Sequence, residues 1–501
     1  MARRATGLPP IIQGGMGVAI SGWRLARAVA SEGQLGVVSG TGIALVLIAR
    51  LTAGDPGGHV RRALEAFPDA GTAREILERH PPSGAAQPVQ PRPSMWSPDP
   101  PRELEALTAA AAFVEVFLAR EGHDGPVGIN LLEKIQMPTM ATLYGAMLAG
   151  VDVVIVGAGI PSQIPAILDA FSRHLPARYR LDVHGGGDGP ELTIEFDPER
   201  VFPGLPKRAG ALRRPRFFPI VASSVLAKAL LRRVPGGVQG FIVEGPSAGG
   251  HNAPPRGALT LDARGEPVYG PRDRVDPAAM AALGLPFWLA GGHDTAEAFR
   301  AARAAGAAGV QVGTAFAFCE ESGMDPRLRQ WVLERVSSGA VRVRTDATAS
   351  PTGFPFKVAE IPCTLSDPAI HRARRRVCDV GMLRQAHRLP GGRIVWRCPA
   401  EPLEAFLAKG GRPEDAEHAV CLCNALAATA GMPQVRAGGT LEPAIVTSGD
   451  GLAGVRRFLR PDGSPYTARD VIESILAPAE AAEPELAAAV PPARRRSPET
   501  V

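Results

Sequence analysis

The stretch GFIVEGPSAGGH occupies residues 240–251. It joins a short apolar run to a glycine-rich turn that ends in a histidine. A run of this length is too short for a helix, and its lack of interior polar residues is typical of a strand buried on both faces of a parallel sheet. The sequence contains eight candidates of this kind, at Pro10–Gln13, Leu35–Ser39, Val127–Leu131, Asp152–Val156, Phe218–Ala222, Gly240–Glu244, Pro286–Ala290 and Gly309–Val312.

Helix-like segments lie between these runs, for example at Gly22–Glu32, Ser224–Arg233 and Thr295–Ala305. Asp294 and Thr295 at the start of the last segment suit a helix cap. Eight alternations of strand and helix predict an α/β architecture closed into a (β/α)8 TIM barrel. A doubly wound open sheet is the alternative, because counting strands does not exclude it.

The alternation of predicted strands and helices defines the expected domain organisation. The barrel is predicted to span residues 8–340, with insertions near 50–121 and 178–216. After about residue 340 strands and helices no longer alternate in this way. Residues 341–475 are therefore predicted to form a C-terminal appendage, which holds five of the six cysteines. Residues 476–501 are rich in Ala, Pro and Glu, a composition that predicts a disordered tail.

Each insertion carries its own signal. Residues 76–101 are rich in proline, which predicts an extended surface segment before a helix at Arg102–Glu121. Residues 178–200 alternate apolar and polar side chains around a glycine-rich turn at Gly185, which predicts a β-hairpin.

The composition excludes several classes of protein. Lys and Arg number 55 against 50 Asp and Glu, a formal charge of +5. The basic runs at Arg372–Arg376 and Arg494–Arg496 lack interleaved aromatic residues, so they indicate solvated surface rather than a nucleic-acid site. No signal peptide or apolar stretch of membrane-spanning length occurs. We therefore expect a cytoplasmic protein without nucleic-acid or membrane partners, whose cysteines are not in disulfides.

Barrel active sites lie at the carboxyl ends of the strands, and here most strand ends carry glycine. Glycine allows the backbone to approach a flat ligand or a phosphate closely. In barrels the loops after the last two strands commonly bind phosphate. In this sequence those loops contain Gly291, Gly292, Gly313 and Thr314, which would suit a monophosphate such as that of FMN.

Five motifs run in order over roughly residues 8–320: QGGMG at 13–17, GIN at 128–130, EGPSAGGH at 244–251, LAGG at 289–292 and QVGT at 311–314. As an ordered set they resemble the nitronate monooxygenase (2-nitropropane dioxygenase) family. The stretch VASSVLAKAL at 221–230 is also similar to the related FMN-dependent enoyl-acyl-carrier-protein reductases. The resemblance implies an FMN-dependent oxidoreductase whose cofactor-binding residues are Gly15, Met16, Gly17, Asn130, Ser223, Glu244, Gly249, Gly250, Gly291, Gly292, Gly313 and Thr314.

His251 is the candidate catalytic residue. A neutral imidazole at the sixth strand end would take a proton from the carbon next to a nitro group. It would equally orient a substrate oxygen or donate a proton in enoyl reduction. His293 also follows a glycine pair but departs from the family pattern, so it ranks lower. Arg256 would either hold an anionic substrate group at the cavity mouth or be a surface arginine, and the loop containing it puts a small nitronate substrate in doubt.

Two features of the C-terminal region allow alternatives. The glycine spacing at 449–454 follows an apolar run but lacks room for a dinucleotide-binding unit, so it predicts a turn at a helix start. Cys363 and a set of four further thiols would converge on zinc or an iron–sulfur cluster, but their spacing matches no known motif. Buried free thiols without a metal are the favoured interpretation of this set, which comprises Cys378, Cys398, Cys421 and Cys423.

These motifs and the predicted barrel are compatible with three functions. The first is oxidation of an alkyl nitronate or nitroalkane by FMN and O2, with a small molecule as the substrate and a homodimer as the expected assembly. The second is an NAD(P)H-dependent reductase of enoyl thioesters, which would share the barrel and the flavin. The third is a non-catalytic phosphate-binding barrel that acts as an accessory protein.

Overall fold

The structure is a computed structural model that describes residues 7–82, 92–185 and 189–478. Eight parallel strands pair in chain order, and the last strand pairs with the first. A parallel bridge from Ile12 to Leu35 links the first strand to the second. The sheet therefore closes on itself, which confirms the predicted TIM barrel and excludes the open sheet. The barrel strands are Ile11–Gln13, Gly36–Ser39, Val127–Leu132, Val153–Gly157, Arg216–Val221, Phe241–Glu244, Phe287–Ala290 and Gly309–Val312.

Apolar side chains fill the barrel interior. The indole ring of Trp288 stacks on Phe218 with 5.0 Å between ring centroids, and both side chains are fully buried. The Trp288 Nε1–H donates to the carbonyl oxygen of Pro9 at 3.0 Å, which satisfies the one polar atom of the ring. This packing closes one end of the barrel, so a ligand site is confined to the carboxyl end of the strands.

Helices surround the sheet and extend beyond it. The helix predicted at Arg102–Glu121 is observed almost as expected, and its alanine-rich surface packs on the neighbouring helices. The helices are Trp23–Ser31, Ile43–Thr52, His59–Glu65, Ala70–Arg79, Arg102–Arg120, Thr139–Leu148, Ile164–Phe171, Pro198–Val201, Leu205–Ala209, Ser224–Arg233, Pro277–Ala281, Ala296–Ala304, Thr314–Ala317, Pro326–Ser337, Pro368–Ala373, Leu403–Ala408, Pro413–Ala416, Leu422–Thr429 and Ala468–Leu476, with 3-10 helices at Pro271–Asp273, Ala437–Gly439 and Asp450–Phe458.

The predicted hairpin is present in the second insertion. Ala177–Arg180 pairs antiparallel with Thr193–Phe196, while residues 186–188 of its glycine-rich turn lie outside the described residues. The intervening strand Val183–His184 pairs with Gln385–Arg388, which in turn pairs with Ile394–Arg397. The second insertion is therefore tied to the C-terminal region through a shared sheet. Residues 83–91 of the proline-rich segment also lie outside the described residues.

The C-terminal region packs closely on the barrel. Val343–Asp346 pairs antiparallel with Phe356–Ala359, which also pairs with the two-residue strand Gly250–His251 from the sixth barrel loop. Further along, the helix Ala468–Leu476 lies against the barrel helices Trp23–Ser31 and Ala296–Ala304. The division at residue 340 stays a prediction, and the predicted disordered tail lies outside the described residues from 479 onward.

No helix within the described part of the chain is long and apolar enough to cross a membrane.

Candidate active site

A cavity of about 210 Å3 lies at the carboxyl end of the barrel, and residues at or near the ends of all eight strands line it. Ile220 from the fifth strand and Gly157 from the fourth form part of its wall. The cavity brings together nearly all of the site residues predicted from the sequence. Those that line it are Gly15, Met16, Gly17, Asn130, Glu244, Gly249, Gly250, His251, Gly291, Gly292, Gly313 and Thr314.

The loop after the first strand is fixed by hydrogen bonds to its own neighbours. The Ser21 hydroxyl accepts from the Met16 N–H at 2.9 Å, and the buried amide of Gln13 donates to Ser21 Oγ at 2.8 Å. A Cβ at Gly15 would overlap the side chain of Asn130, which lies across the cavity floor. The loop therefore presents bare backbone to the cavity, and only glycine fits at position 15.

The loops after the sixth, seventh and eighth strands meet a loop from the C-terminal region. Gly291 has a φ of +91°, and a Cβ there would lie 2.7 Å from Ser247 Oγ. The Thr314 hydroxyl oxygen accepts from the Gly449 N–H at 2.9 Å, and a Cβ at Gly249 would lie 2.8 Å from Gly449 N. This end of the cavity is a cradle of closely packed backbone in which side chains have no room, a form that suits a phosphate group.

Two polar atoms at the cavity have no partner among the described residues. They are Oε1 of Gln311 and Nδ1 of His293, and both are buried. A buried polar atom without a hydrogen bond costs about 1–3 kcal/mol. The unpaired acceptor of Gln311 is thus a place where an N–H group of a bound ligand would be stabilised.

His251 is connected to Lys134 by a chain of hydroxyl groups. Its Nε2 lies 2.8 Å from Ser350 Oγ, which lies 2.9 Å from Thr352 Oγ1. The Lys134 ammonium donates to Thr352 Oγ1 at 3.2 Å. Ser350 is the only described residue that hydrogen-bonds the imidazole ring, so Nδ1 is left to act on a bound molecule.

Aromatic rings hold this group in place. The ring of His251 packs against Phe356 with 4.7 Å between centroids, and the Lys134 ammonium lies 4.6 Å from the centroid of Phe354. The Phe354 ring therefore stabilises the charged form of the lysine through a cation–π contact.

Burial alters the protonation of three groups here. It lowers the pKa of His251 well below its usual value, and the nearby Lys134 lowers that pKa further. Burial also lowers the pKa of Lys134, although Glu244 opposes the effect. The pKa of Glu244 is raised to about 8 by burial, partly opposed by Lys134. At neutral pH the imidazole is consequently uncharged and able to accept a proton.

Comparison with known proteins agrees with this geometry. Residues 215–346 match the family model of nitronate monooxygenase. A probable nitronate monooxygenase of Bacillus subtilis (strain 168) is 37% identical over 143 residues, which are 28% of this chain and 37% of the relative. This part of the chain is therefore similar to nitronate monooxygenases.

Other similarities are more distant. The (3aS,4S,5R,7aS)-5-hydroxy-7a-methyl-1-oxo-octahydro-1H-indene-4-carboxyl-CoA dehydrogenase of Mycobacterium tuberculosis (strain ATCC 25618 / H37Rv) is 27% identical over 244 residues, which are 46% of this chain and 64% of that relative. The chain thus spans about a third to two thirds of these relatives' lengths. The solved structure of FabK from Thermotoga maritima is 18% identical to this chain in sequence. The match covers 93% of this chain and 91% of the FabK chain, with a TM-score of 0.46.

Two of the candidate site residues predicted from the sequence are not among the residues that line the cavity. The Ser223 hydroxyl accepts from the Leu226 N–H at 3.0 Å and caps the helix Ser224–Arg233. The exposed Arg256 guanidinium donates to the carbonyl oxygen of Ala222 at 2.8 Å. In the structure Ser223 caps a helix and Arg256 tethers its own loop to the fifth strand end, while their roles toward cofactor and substrate stay predictions.

Several residues of the site were not predicted from the sequence. Thr447 and Ser448 come from the turn that was correctly predicted to start a helix, but its approach to the barrel was not foreseen. Lys134 and Ser350 join the site through the hydroxyl chain. Of these, only Lys134 gave a usable signal, because it is a charged residue just beyond the third strand end.

Proposed function

We propose that this chain is an FMN-dependent oxidoreductase that oxidises an alkyl nitronate or nitroalkane with O2. The observation that carries the proposal is the cavity itself. It gathers His251 and every predicted cofactor residue except Ser223 at the carboxyl end of a closed barrel. The activity of the named family supplies the reaction class, and the cavity supplies residues that fit it.

The residues present fit FMN in two respects. The backbone cradle at Gly291 and Gly449 leaves no room for side chains, and N–H groups in such turns bind phosphate. The unpaired Oε1 of Gln311 would accept a hydrogen bond from a ring N–H of the flavin. Bound FMN would supply the electron acceptor for the substrate, with O2 as the final oxidant.

His251 would supply the proton transfer. With Nε2 held by Ser350, the free Nδ1 would accept the proton from the carbon next to the nitro group, which converts a neutral nitroalkane into its nitronate. Ser350, Thr352 and Lys134 would orient the imidazole and offer a hydrogen-bonded route by which its proton leaves. A pre-formed nitronate lacks this proton, so its oxidation would bypass the step.

An NAD(P)H-dependent reductase of enoyl thioesters is the second candidate. It is favoured by the similarity to a relative whose name specifies dehydrogenation of a carboxyl-CoA, that is, a thioester. The same neutral His251 would then serve as a proton donor or would orient the substrate carbonyl.

Anaerobic flavin spectroscopy tests the proposal. The purified protein is expected to be yellow, to release FMN on denaturation, and to lose its flavin absorbance when a nitronate is added without O2. NADPH should leave the absorbance unchanged. Rapid bleaching by NADPH followed by recovery with an enoyl thioester would establish the second candidate instead, and a colourless protein that binds no FMN would leave only a non-catalytic binding role.

A further inference from the structure

The structure brings four cysteines to one small cavity, separate from the proposed flavin site. The thiols of Cys378, Cys398, Cys421 and Cys423 all line it. Three of the four are buried within a second hydrophobic core formed largely by residues beyond 340. From the sequence alone, free thiols without a metal are the favoured interpretation, because the spacing of these residues matches no known motif. The fold, however, brings the four cysteines together, although their spacing in the sequence does not predict this.

The placement of the four thiols distinguishes between kinds of metal centre. About 10 Å3 is free in the cavity, enough for one water-sized sphere, so a larger inorganic core enters only if the four side chains move apart. A zinc ion draws its four thiolates to about 2.3 Å in a closed tetrahedral site. In the described residues no three Cys, His, Asp or Glu side chains lie close enough to hold a single metal ion. An iron–sulfur cluster holds its four thiolates further apart, around a larger core.

An N–H group already points at one of the sulfur atoms. The Asn424 amide donates to Cys421 Sγ at 3.4 Å. Hydrogen bonds of this kind stabilise thiolates, and they help to set the potential of iron–sulfur clusters.

Positive charge also lies beside the thiols. Arg384 lines the cavity next to Cys378, and Arg376 is close enough to Cys398 and Cys421 to interact electrostatically. A cluster with four thiolate ligands carries net negative charge, which a partly buried site accepts only when cations or N–H donors compensate it. The two arginines meet that requirement. Glu401, the acid at the same cavity, is paired with Lys409 at 2.7 Å.

We propose that Cys378, Cys398, Cys421 and Cys423 are the four ligands of an iron–sulfur cluster. The proposal is independent of the substrate proposed above. The helix Leu422–Thr429 links the two sites, because Cys423 lies at its start while Leu426 and Thr429 line the barrel cavity. Thr429 lies six positions after Cys423, about 9 Å along the helix axis. The cluster would thus lie one short helix from the flavin.

Anaerobic purification of the full chain, followed by iron and acid-labile sulfide analysis, tests this site. We expect about four iron and four sulfide per chain, either as isolated or after reconstitution with ferrous iron and sulfide, with the four-thiolate ligation of a [4Fe–4S] cluster. Broad visible absorbance that dithionite bleaches should accompany them. Flavin would be removed first, or its contribution subtracted, so that the absorbance reports the cluster alone.

Single Cys→Ser variants assign the ligands. Cys398→Ser and Cys423→Ser should each lose most of the iron and sulfide, while Cys363→Ser and Cys319→Ser, which alter cysteines outside the cavity, should keep the full content. Far-UV circular dichroism establishes that each variant is folded. Protein that binds zinc without sulfide, or that binds no metal after reconstitution and presents four reactive thiols, would overturn the proposal even if FMN were bound and turned over normally.

Discussion

Nε2 of His251 lies 2.8 Å from Oγ of Ser350, a residue 99 positions later in the chain. The contact joins the sixth barrel loop to the C-terminal region at the wall of the cavity, which His251 lines. The backbone of Gly250–His251 also pairs with Phe356–Lys357. Both the backbone and the side chain of His251 are therefore fixed by the C-terminal region. The proposed base is therefore oriented by chain segments on both sides of residue 340.

Replacement of His251 tests its role as a base. The variant His251→Ala should lower kcat/KM for a neutral nitroalkane by about 10²–10⁴-fold, the usual contribution of general base catalysis. Oxidation of the pre-formed nitronate should fall far less, because that substrate has already lost its proton. The exposed His418→Ala serves as the control. Equal losses with both substrates would contradict a base role and point to substrate binding.

Replacement of Ser350 tests whether it orients the imidazole. Loss of the hydroxyl in Ser350→Ala removes one hydrogen bond, worth about 1 kcal/mol, so kcat with a nitroalkane should fall roughly fivefold. Because Ser350 touches the ring and not the proposed substrate position, KM should change little. Ser350→Thr keeps a hydroxyl and should restore part of the rate. A change confined to KM would instead place Ser350 in the substrate site.

The pH dependence follows from the buried charges. A base must be uncharged to accept a proton, and burial lowers the pKa of His251, so activity with a nitroalkane should persist well below pH 6.5 before it declines. The pKa of Glu244 is raised to about 8, so this carboxyl is mostly protonated at pH 7 and ionises as the pH rises. We expect a second change in kcat/KM near pH 8.

The variant Glu244→Gln isolates that second change. An amide cannot ionise, so the transition near pH 8 should vanish while the acid decline assigned to His251 remains. A profile in which both transitions persist would show that Glu244 does not titrate in this range. The measurement is kcat/KM across pH 5–10 at constant ionic strength, with flavin content checked at each extreme.

The glycine at position 15 tests the cofactor loop. A Cβ there would overlap the Asn130 side chain, so Gly15→Ala must displace either the loop or Asn130 from the cavity. The purified variant should retain little FMN, as measured by flavin absorbance per chain. Gly7→Ala is a suitable control, since a Cβ at Gly7 meets nothing within 4 Å. Full flavin content in Gly15→Ala would show that this loop does not contact the ring.

Much of the fold could be predicted from the sequence, because a strand buried on both faces leaves an uninterrupted apolar run such as that ending at Glu244. The residues at these strand ends were found for the same reason, since strand order in a barrel dictates which ends meet. Ser223 caps a helix in the structure, and its predicted contact with the cofactor stays a prediction, because serine both caps helices and binds phosphate. Ser350 and Gly449 were missed because their contacts with His251 and Thr314 span 99 and 135 positions, and no local pattern encodes such contacts.

The contact between Gly449 and Thr314 lies at the proposed phosphate end of the cavity. A Cβ at Gly449 would lie 2.9 Å from the carbonyl oxygen of Ser247 and 3.0 Å from Thr314 Oγ1, both at the proposed phosphate end of the cavity. Gly449→Ala should therefore weaken FMN binding, because the cradle must open by several tenths of an ångström. Riboflavin lacks the phosphate, so its weaker binding should be nearly unchanged. Gly451→Ala in the same turn is the matched control, since its Cβ would meet only Asp294 at an ordinary 3.8 Å. Titration of the apoprotein with both flavins measures the two affinities, and an equal loss for FMN and riboflavin would place the phosphate elsewhere.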